Sequence, residues 1–86
     1  MSNYELTLVF REDAQETESQ AKALITGKIE TTKTWGLKDL AYPIAREKRG
    51  NYLHLELELE PNQVAPLDKA IRQNDAILRH LLISQA

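Results

Sequence analysis

The chain has 86 residues and a formal net charge of −2, so we expect residues 1–86 to form a single domain. It contains no cysteine, which excludes disulfides, thiolate metal sites and cysteine nucleophiles. The N-terminal apolar stretch is too short and too polar for a signal peptide, and no segment approaches the roughly 20 apolar residues that span a bilayer, so we expect a cytoplasmic protein.

The first predicted elements are a strand and a helix. Large apolar side chains recur at every second position, at Tyr4, Leu6, Leu8 and Phe10, which predicts a strand with one buried face. Asp13 followed by Glu16 predicts a capping box at the start of a helix, and Gly27 predicts its C-terminal stop.

The next segment predicts a hairpin. A second strand should run from Lys28 to Ile44, regular as far as Thr34 and broken beyond it. Pro43 cannot donate to a strand ladder, so this strand should lie at a sheet edge or contain a bulge. Residues 47–51 (EKRGN) predict the turn, because Gly and Asn tolerate positive φ.

The C-terminal half predicts a strand, a helix and a final strand. Leucines alternate along the third strand, at Leu53, Leu55, Leu57 and Leu59. Asn62 is the predicted cap of the second helix, with Pro66 in its first turn. The last strand, Ile77 to Ile83, is largely apolar and should be well covered.

The predicted order is strand, helix, strand, strand, helix, strand. Every apolar stripe is buried if the strands form one four-stranded antiparallel sheet with both helices on one face, so we predict an α+β fold of the ferredoxin-like split βαβ type. The other face of the sheet should then present a mainly polar set, Glu5, Thr7, Val9, Tyr52, His54, Glu56 and Glu58.

No group of residues predicts catalysis, a metal or a cofactor. The two histidines, His54 and His80, lie within strands and fit sheet-surface roles better than ligand roles. The three glycines are isolated, so there is no glycine-rich phosphate loop. The third strand lacks the aromatic spacing with which RNA recognition motifs stack bases, and its carboxylates would repel RNA.

Positive charge is concentrated in residues 33–49, which hold five basic and two acidic residues, whereas the rest of the chain holds six basic and eleven acidic. Such a chain could contact phosphate at one patch, with its acidic remainder limiting non-specific binding. The alternative is a solvated hairpin on which the charges carry no function.

Five short blocks, in order along nearly the whole chain, resemble one family. They are Tyr4-Glu5, Trp35-Gly36-Leu37, Leu40-Ala41-Tyr42-Pro43-Ile44, Gly50-Asn51-Tyr52, and a C-terminal set of Ile71-Arg72, Asn74 and Leu78-Arg79. Together they are similar to the bacterial small-subunit ribosomal protein six family. The chain departs from typical members in a first helix that looks shorter.

The resemblance implies a ferredoxin-like fold and a structural, non-enzymatic role in the ribosome. It implies two partners, the central domain of small-subunit ribosomal RNA and small-subunit ribosomal protein eighteen, and no membrane or small-molecule substrate. It also implies that residues 37–44, here called the ribbon, form an edge that meets the partner protein. The contact residues would be Leu40, Tyr42, Pro43 and Ile44.

Six basic residues are the candidates for phosphate contacts. Lys38 lies in the ribbon, Arg46, Lys48 and Arg49 lie near it, and Arg72 and Arg79 match basic positions of the family motif. For Arg79, a salt bridge with a glutamate on a neighbouring strand is an equal alternative. Trp35 is expected to pack against the protein rather than to stack on a base.

Two other functions use the same fold. A small-ligand regulatory module needs a glycine-containing loop at a dimer interface, for which Gly27 is the only candidate. An acylphosphatase-like enzyme needs an arginine in a phosphate-cradling loop after the first strand. Arg11 holds that position, but Glu12 and Asp13 follow it and no glycine does, so we do not expect this activity.

Overall fold

The computed structural model describes residues 2–85, which contain six regular elements. The strands are β1 (Ser2–Arg11), β2 (Lys28–Ile44), β3 (Glu47–Leu59) and β4 (Ile77–Gln85), and the helices are α1 (Thr17–Leu24) and α2 (Pro61–Arg72). The strands pair antiparallel in the order β2-β3-β1-β4. The predicted ferredoxin-like α+β fold is confirmed. Neither of the helices in residues 2–85 is long and apolar enough to cross a membrane.

The core lies between the helices and one face of the sheet. The four alternating leucines of β3 are each at most 1% exposed, as predicted, because alternate residues of a strand share a face. Leu6, Leu8 and Phe10 of β1 lie beside them, and Ala21, Ile25, Leu67 and Ile71 close the cluster from the helix layer. Each fully buried leucine contributes about 1.5–3 kcal/mol. The sheet face away from the helices is called here the open face.

The first helix is shorter at both ends than predicted. It begins after Glu16, which has a left-handed backbone (φ 50°) and makes no side-chain cap, so the predicted capping box from Asp13 is wrong. It ends at Leu24, and Gly27 lies beyond it. Gly27 is needed for a different reason, since a Cβ at this position would collide with the carbonyl oxygen of Glu58 on β3.

The second helix begins earlier than predicted. Its cap is Glu60 rather than Asn62, and the Glu60 N–H donates to the side-chain oxygen of Gln63 at 2.8 Å in a capping box. Pro61 occupies the first turn, where its missing N–H costs nothing. Pro66 therefore lies inside the helix instead of in its first turn.

The hairpin turn between β2 and β3 also lies earlier than predicted. Its central residues are Ala45 and Arg46, with φ of 48° and 68°. The prediction of a turn at 47–51 is wrong because Gly50 serves another purpose. It is buried within β3, and a Cβ there would lie 2.5 Å from Cγ1 of Val9.

The last strand is an exposed edge, so the prediction that it is well covered is wrong. Leu81 is 52% exposed and Ile83 is 46% exposed, and both project onto the open face. The helices cover only the opposite face of β4, where His80 reaches Asp68 of α2 at 2.7 Å.

Candidate nucleic-acid and partner interface

The ribbon is the outer part of an edge strand, as predicted. Regular pairing of β2 with β3 is interrupted at three register shifts, between Ile29 and Thr31, between Thr34 and Gly36, and between Asp39 and Ile44. At the last shift, residues 40–43 face the single residue Lys48. Pro43 lies in this bulge, where the ladder needs no donor from it.

The bulge folds the ribbon over the open face. The Tyr42 hydroxyl accepts a hydrogen bond from Nη1 of Arg79 on β4, at 3.4 Å, although β3 and β1 lie between these strands. Beneath the ribbon is a depression of about 80 Å³, lined by Val9, Leu40, Ala41, Tyr42, Ile44, Tyr52 and Arg79. Val9 is consequently only 5% exposed on a face without helices. Tyr42 is itself 59% exposed, which leaves its ring available to a partner.

An aromatic and cationic stack lies beside the ribbon. The rings of Trp35 and His54 are stacked with centroids 4.9 Å apart and planes 6° apart. Nζ of Lys38 lies 5.3 Å from the Trp35 centroid and 6.0 Å from that of Tyr52. A 3.1 Å hydrogen bond between Oγ1 of Thr7 and Nδ1 of His54 fixes the imidazole. Trp35 thus packs on His54 within the chain, while the residue stays 44% exposed.

Three of the six candidate phosphate-binding residues lie at the hairpin tip. Arg46 is in the turn, and Lys48 and Arg49 follow it at the start of β3. Arg49 pairs with the carboxylate of Glu12. Arg46 and Lys48, by contrast, form no ion pair with any of residues 2–85 and are both exposed. These two cations are therefore free to bind phosphate.

The other three candidates divide between the two faces of the sheet. Lys38, in the ribbon, and Arg79, beside it, lie on the open face. Within the described chain Arg79 bonds Tyr42 instead of the glutamate considered as its alternative partner. Arg72 lies apart, in the last turn of α2, where its Nε donates to Oδ2 of Asp68 at 2.7 Å. Hydrogen bonds from His80 and then from Arg72 lower the pKa of Asp68 below its ordinary value.

The end of the open face away from the hairpin is acidic. Glu5 of β1 lies directly opposite Glu56 of β3, and Asn3 lies opposite Glu58. These carboxylates would repel an RNA strand laid across the sheet. The open face is thus polarised along its strands, with Lys38 and Arg79 toward the hairpin and carboxylates at the opposite end.

One group of side chains within residues 2–85 could surround a metal ion. The ligand atoms of Glu5, His54 and Glu56 all lie within 4.8 Å of one another. All three side chains are partly exposed, and the imidazole already bonds Thr7. The position of His54 on the open face agrees with its predicted sheet-surface role.

Two contacts argue against the alternative functions. Gly27 is packed against the backbone of β3, so it does not form an open ligand loop. Nε of Arg11 donates to the backbone oxygen of Asp75 at 2.7 Å, and its Nη1 lies 3.7 Å from Glu47. The Arg11 guanidinium therefore already has partners within the chain and does not line a phosphate cradle.

The exposure of Leu81 and Ile83 was not predicted from the sequence. A signal was present in the alternation of β4, because Arg79, Leu81 and Ile83 share one face. A charged residue in that set marks the face as open to solvent.

Taken together, the fold and this surface define a ferredoxin-like domain that carries a basic hairpin and a folded edge ribbon beside a partly apolar sheet face. This is a surface suited to binding macromolecules. A family model described as Ribosomal protein S6 matches residues 3–84, and the chain belongs to the ribosomal protein S6 family. The family supplies structural components of the small ribosomal subunit, and the resemblance drawn from the five sequence blocks is confirmed.

Two named relatives agree with this family, and a solved structure agrees with the fold. The chain is 37% identical to the small ribosomal subunit protein bS6 of Ruthia magnifica. The alignment is 92 positions long and covers 99% of this chain and 81% of that protein. It is 34% identical to bS6 of Variovorax paradoxus, over 99% of this chain and 74% of that protein. The crystal structure of 30S ribosomal protein S6 from Thermotoga maritima superposes with a TM-score of 0.86 at 20% identity, covering 98% of this chain and 87% of that one, and supports the fold.

Proposed function

We propose that the chain binds the central domain of small-subunit ribosomal RNA cooperatively with small-subunit ribosomal protein eighteen, as a structural part of cytoplasmic ribosomes and without catalysis or a cofactor. The observation that carries this proposal is the position of two free cations, Arg46 and Lys48, beside an exposed edge ribbon on an otherwise acidic chain. A few phosphate contacts on a chain of net charge −2 give weak, salt-sensitive binding. A partner protein that adds contacts would supply the rest.

Apart from Arg72 on α2, the residues proposed to contact the two partners lie close together at the hairpin and ribbon. The RNA contacts would come from Lys38, Arg46, Lys48, Arg49, Arg72 and Arg79, and the protein contacts from Leu40, Tyr42, Pro43 and Ile44. Arg46 and Lys48 can bind phosphate directly. Arg49 and Arg72 would first exchange or share a carboxylate, so their contribution should be smaller.

Co-purification tests this proposal. A tagged chain is recovered from cell lysate at low salt, and the RNA and proteins bound to it are identified. We expect small-subunit ribosomal RNA and ribosomal protein eighteen. Recovery of a self-associated chain or a small metabolite in their place would refute the proposal.

Tyr42→Ala locates the protein contact. We expect this variant to lose ribosomal protein eighteen while keeping its melting temperature, because the side chain is 59% exposed. Tyr42→Phe is the matched control, since it keeps the ring and removes only the hydroxyl bonded to Arg79. An unfolded Tyr42→Ala variant would show instead that Tyr42 belongs to the core.

A further inference from the structure

The part of the open face that the ribbon leaves uncovered carries exposed aliphatic side chains along one edge. Leu81 and Ile83 stand two residues apart on the edge strand β4 and are about half exposed. Leu81 lines a depression of about 170 Å³ together with Thr7, Val9, Tyr52, Arg79 and His80. Adjacent exposed aliphatic side chains on one face of an edge strand are typical of a surface that binds another molecule.

Carboxylates adjoin this apolar surface in register. One row across the sheet runs Ile83, Glu5, Glu56 and Thr31, and the next row toward the hairpin runs Leu81, Thr7, His54 and Lys33. Glu5 and Glu56 face each other directly, and like charges in that position destabilise a sheet. Within residues 2–85 the nearest basic group to Glu5 is Nε2 of His54 at 3.9 Å, and Glu56 forms no ion pair.

The chemistry of the occupant follows from this arrangement. Nucleic acid is excluded from the part of the open face beside Glu5 and Glu56, because its phosphates would meet these two carboxylates. A segment of protein fits, because an extended chain places side chains i and i+2 on the same side, about 6.6 Å apart. Neighbouring rows of the open face have the same spacing. An apolar side chain in the Leu81 depression would therefore bring a cationic side chain two residues away to Glu5 and Glu56.

We propose that the open face binds an extended segment of the partner protein in which an apolar residue and a lysine or arginine lie two positions apart. This rests on the proposed function, because the segment would belong to the protein that also meets the ribbon. The carboxylates thereby select a basic protein, while the hairpin at the other end selects RNA.

Peptide titration of the whole chain tests this proposal. The probe is an acetylated, amidated peptide with leucine and arginine two residues apart, added to ¹⁵N-labelled protein in the presence of a chelator. The control peptide has glutamate in place of arginine. We expect the arginine peptide alone to shift the amide resonances around Glu5, Glu56 and Leu81. The double variant Glu5→Gln/Glu56→Gln should weaken its binding about fivefold, the factor expected for a partly exposed ion pair.

Glu18→Gln on α1 is the control for removing a carboxylate away from the open face, and it should leave peptide binding unchanged. The two glutamine substitutions remove the repulsion between facing carboxylates, so the double variant should melt no lower than the native chain. Three results would overturn the proposal: equal binding of both peptides, shifts that stay away from the open face, or line broadening that depends on protein concentration alone and so reports a second copy on this face. If any of these occurs while the chain still binds ribosomal RNA together with protein eighteen, the proposed function stands and only this inference fails.

Discussion

The turn at Ala45 and Arg46 holds two non-glycine residues in the left-handed region, with φ of 48° and 68°. This conformation costs roughly 1–2 kcal/mol for each L-residue with a side chain, and tight hairpins of this kind favour Asn-Gly. Glycine removes that cost but loses about 0.5–1 kcal/mol through the entropy of the unfolded chain. Each substitution to glycine should therefore stabilise the protein by about 0.5–1 kcal/mol.

Ala45→Gly and Arg46→Gly form a matched pair, because both remove the cost of a left-handed backbone with a side chain and only Arg46→Gly removes a cation. We expect both to raise the melting temperature by about 2–8 °C, as a domain of this size gains about 4–8 °C per kcal/mol. Binding to small-subunit ribosomal RNA should separate them. Arg46→Gly should weaken binding and reduce the slope of log affinity against log salt by about 1, whereas Ala45→Gly should change neither.

The measurements are thermal unfolding followed by circular dichroism, and fluorescence anisotropy with labelled RNA at several salt concentrations. An unchanged or lower melting temperature for both variants would refute the strain argument. An equal loss of RNA affinity in both would show that the shape of the turn matters and the charge of Arg46 does not. An unchanged salt slope in Arg46→Gly would remove Arg46 from the phosphate contacts.

Three further predictions concern stability. Gly27→Ala should destabilise by about 1–3 kcal/mol in urea unfolding, because the new methyl group would meet a backbone oxygen of β3 that cannot move aside; no loss would contradict the packing at this site. Asp68→Asn should lower stability at neutral pH but not at acid pH. The folded-state pKa of Asp68 lies below its ordinary value of 3.8, so its contribution to stability is present above pH 3.8 and is lost as the pH falls through the lowered pKa. The urea midpoints of the native chain and the variant should therefore differ at pH 7 and converge near pH 2. Leu81→Ala should lower the free energy of unfolding by less than about 0.5 kcal/mol, and Leu55→Ala by about 2–5 kcal/mol. Similar losses in the two variants would show that β4 is covered.

Those features of the fold that depend on local periodicity were predictable from the sequence. The alternating leucines of β3 predicted the core, and Pro43 predicted the edge position and broken pairing of β2. The exposure of Leu81 was not predictable in this way, because an apolar strand is covered or exposed according to its place in the sheet order.

The candidate site was predictable in composition but not in arrangement. The basic residues of the hairpin were identified, yet the turn was misplaced because Gly50 resembles a turn residue. A glycine is needed at position 50 because Val9, which lies far away in the sequence, packs too close for a Cβ. The ion pair of Arg49 with Glu12 and the contact of Tyr42 with Arg79 likewise join distant segments. Only the folded chain therefore shows that, at the hairpin tip, Arg49 is paired within residues 2–85 whereas Arg46 and Lys48 are not.

The most direct test of the proposed role is the affinity of the chain for a central-domain fragment of small-subunit ribosomal RNA, measured at one fixed salt concentration with and without saturating small-subunit ribosomal protein eighteen. We expect weak binding of the chain alone and binding that is tighter by roughly 5- to 150-fold with the partner, the usual range of coupling between two binding sites. The same affinity with and without protein eighteen would contradict the proposed role.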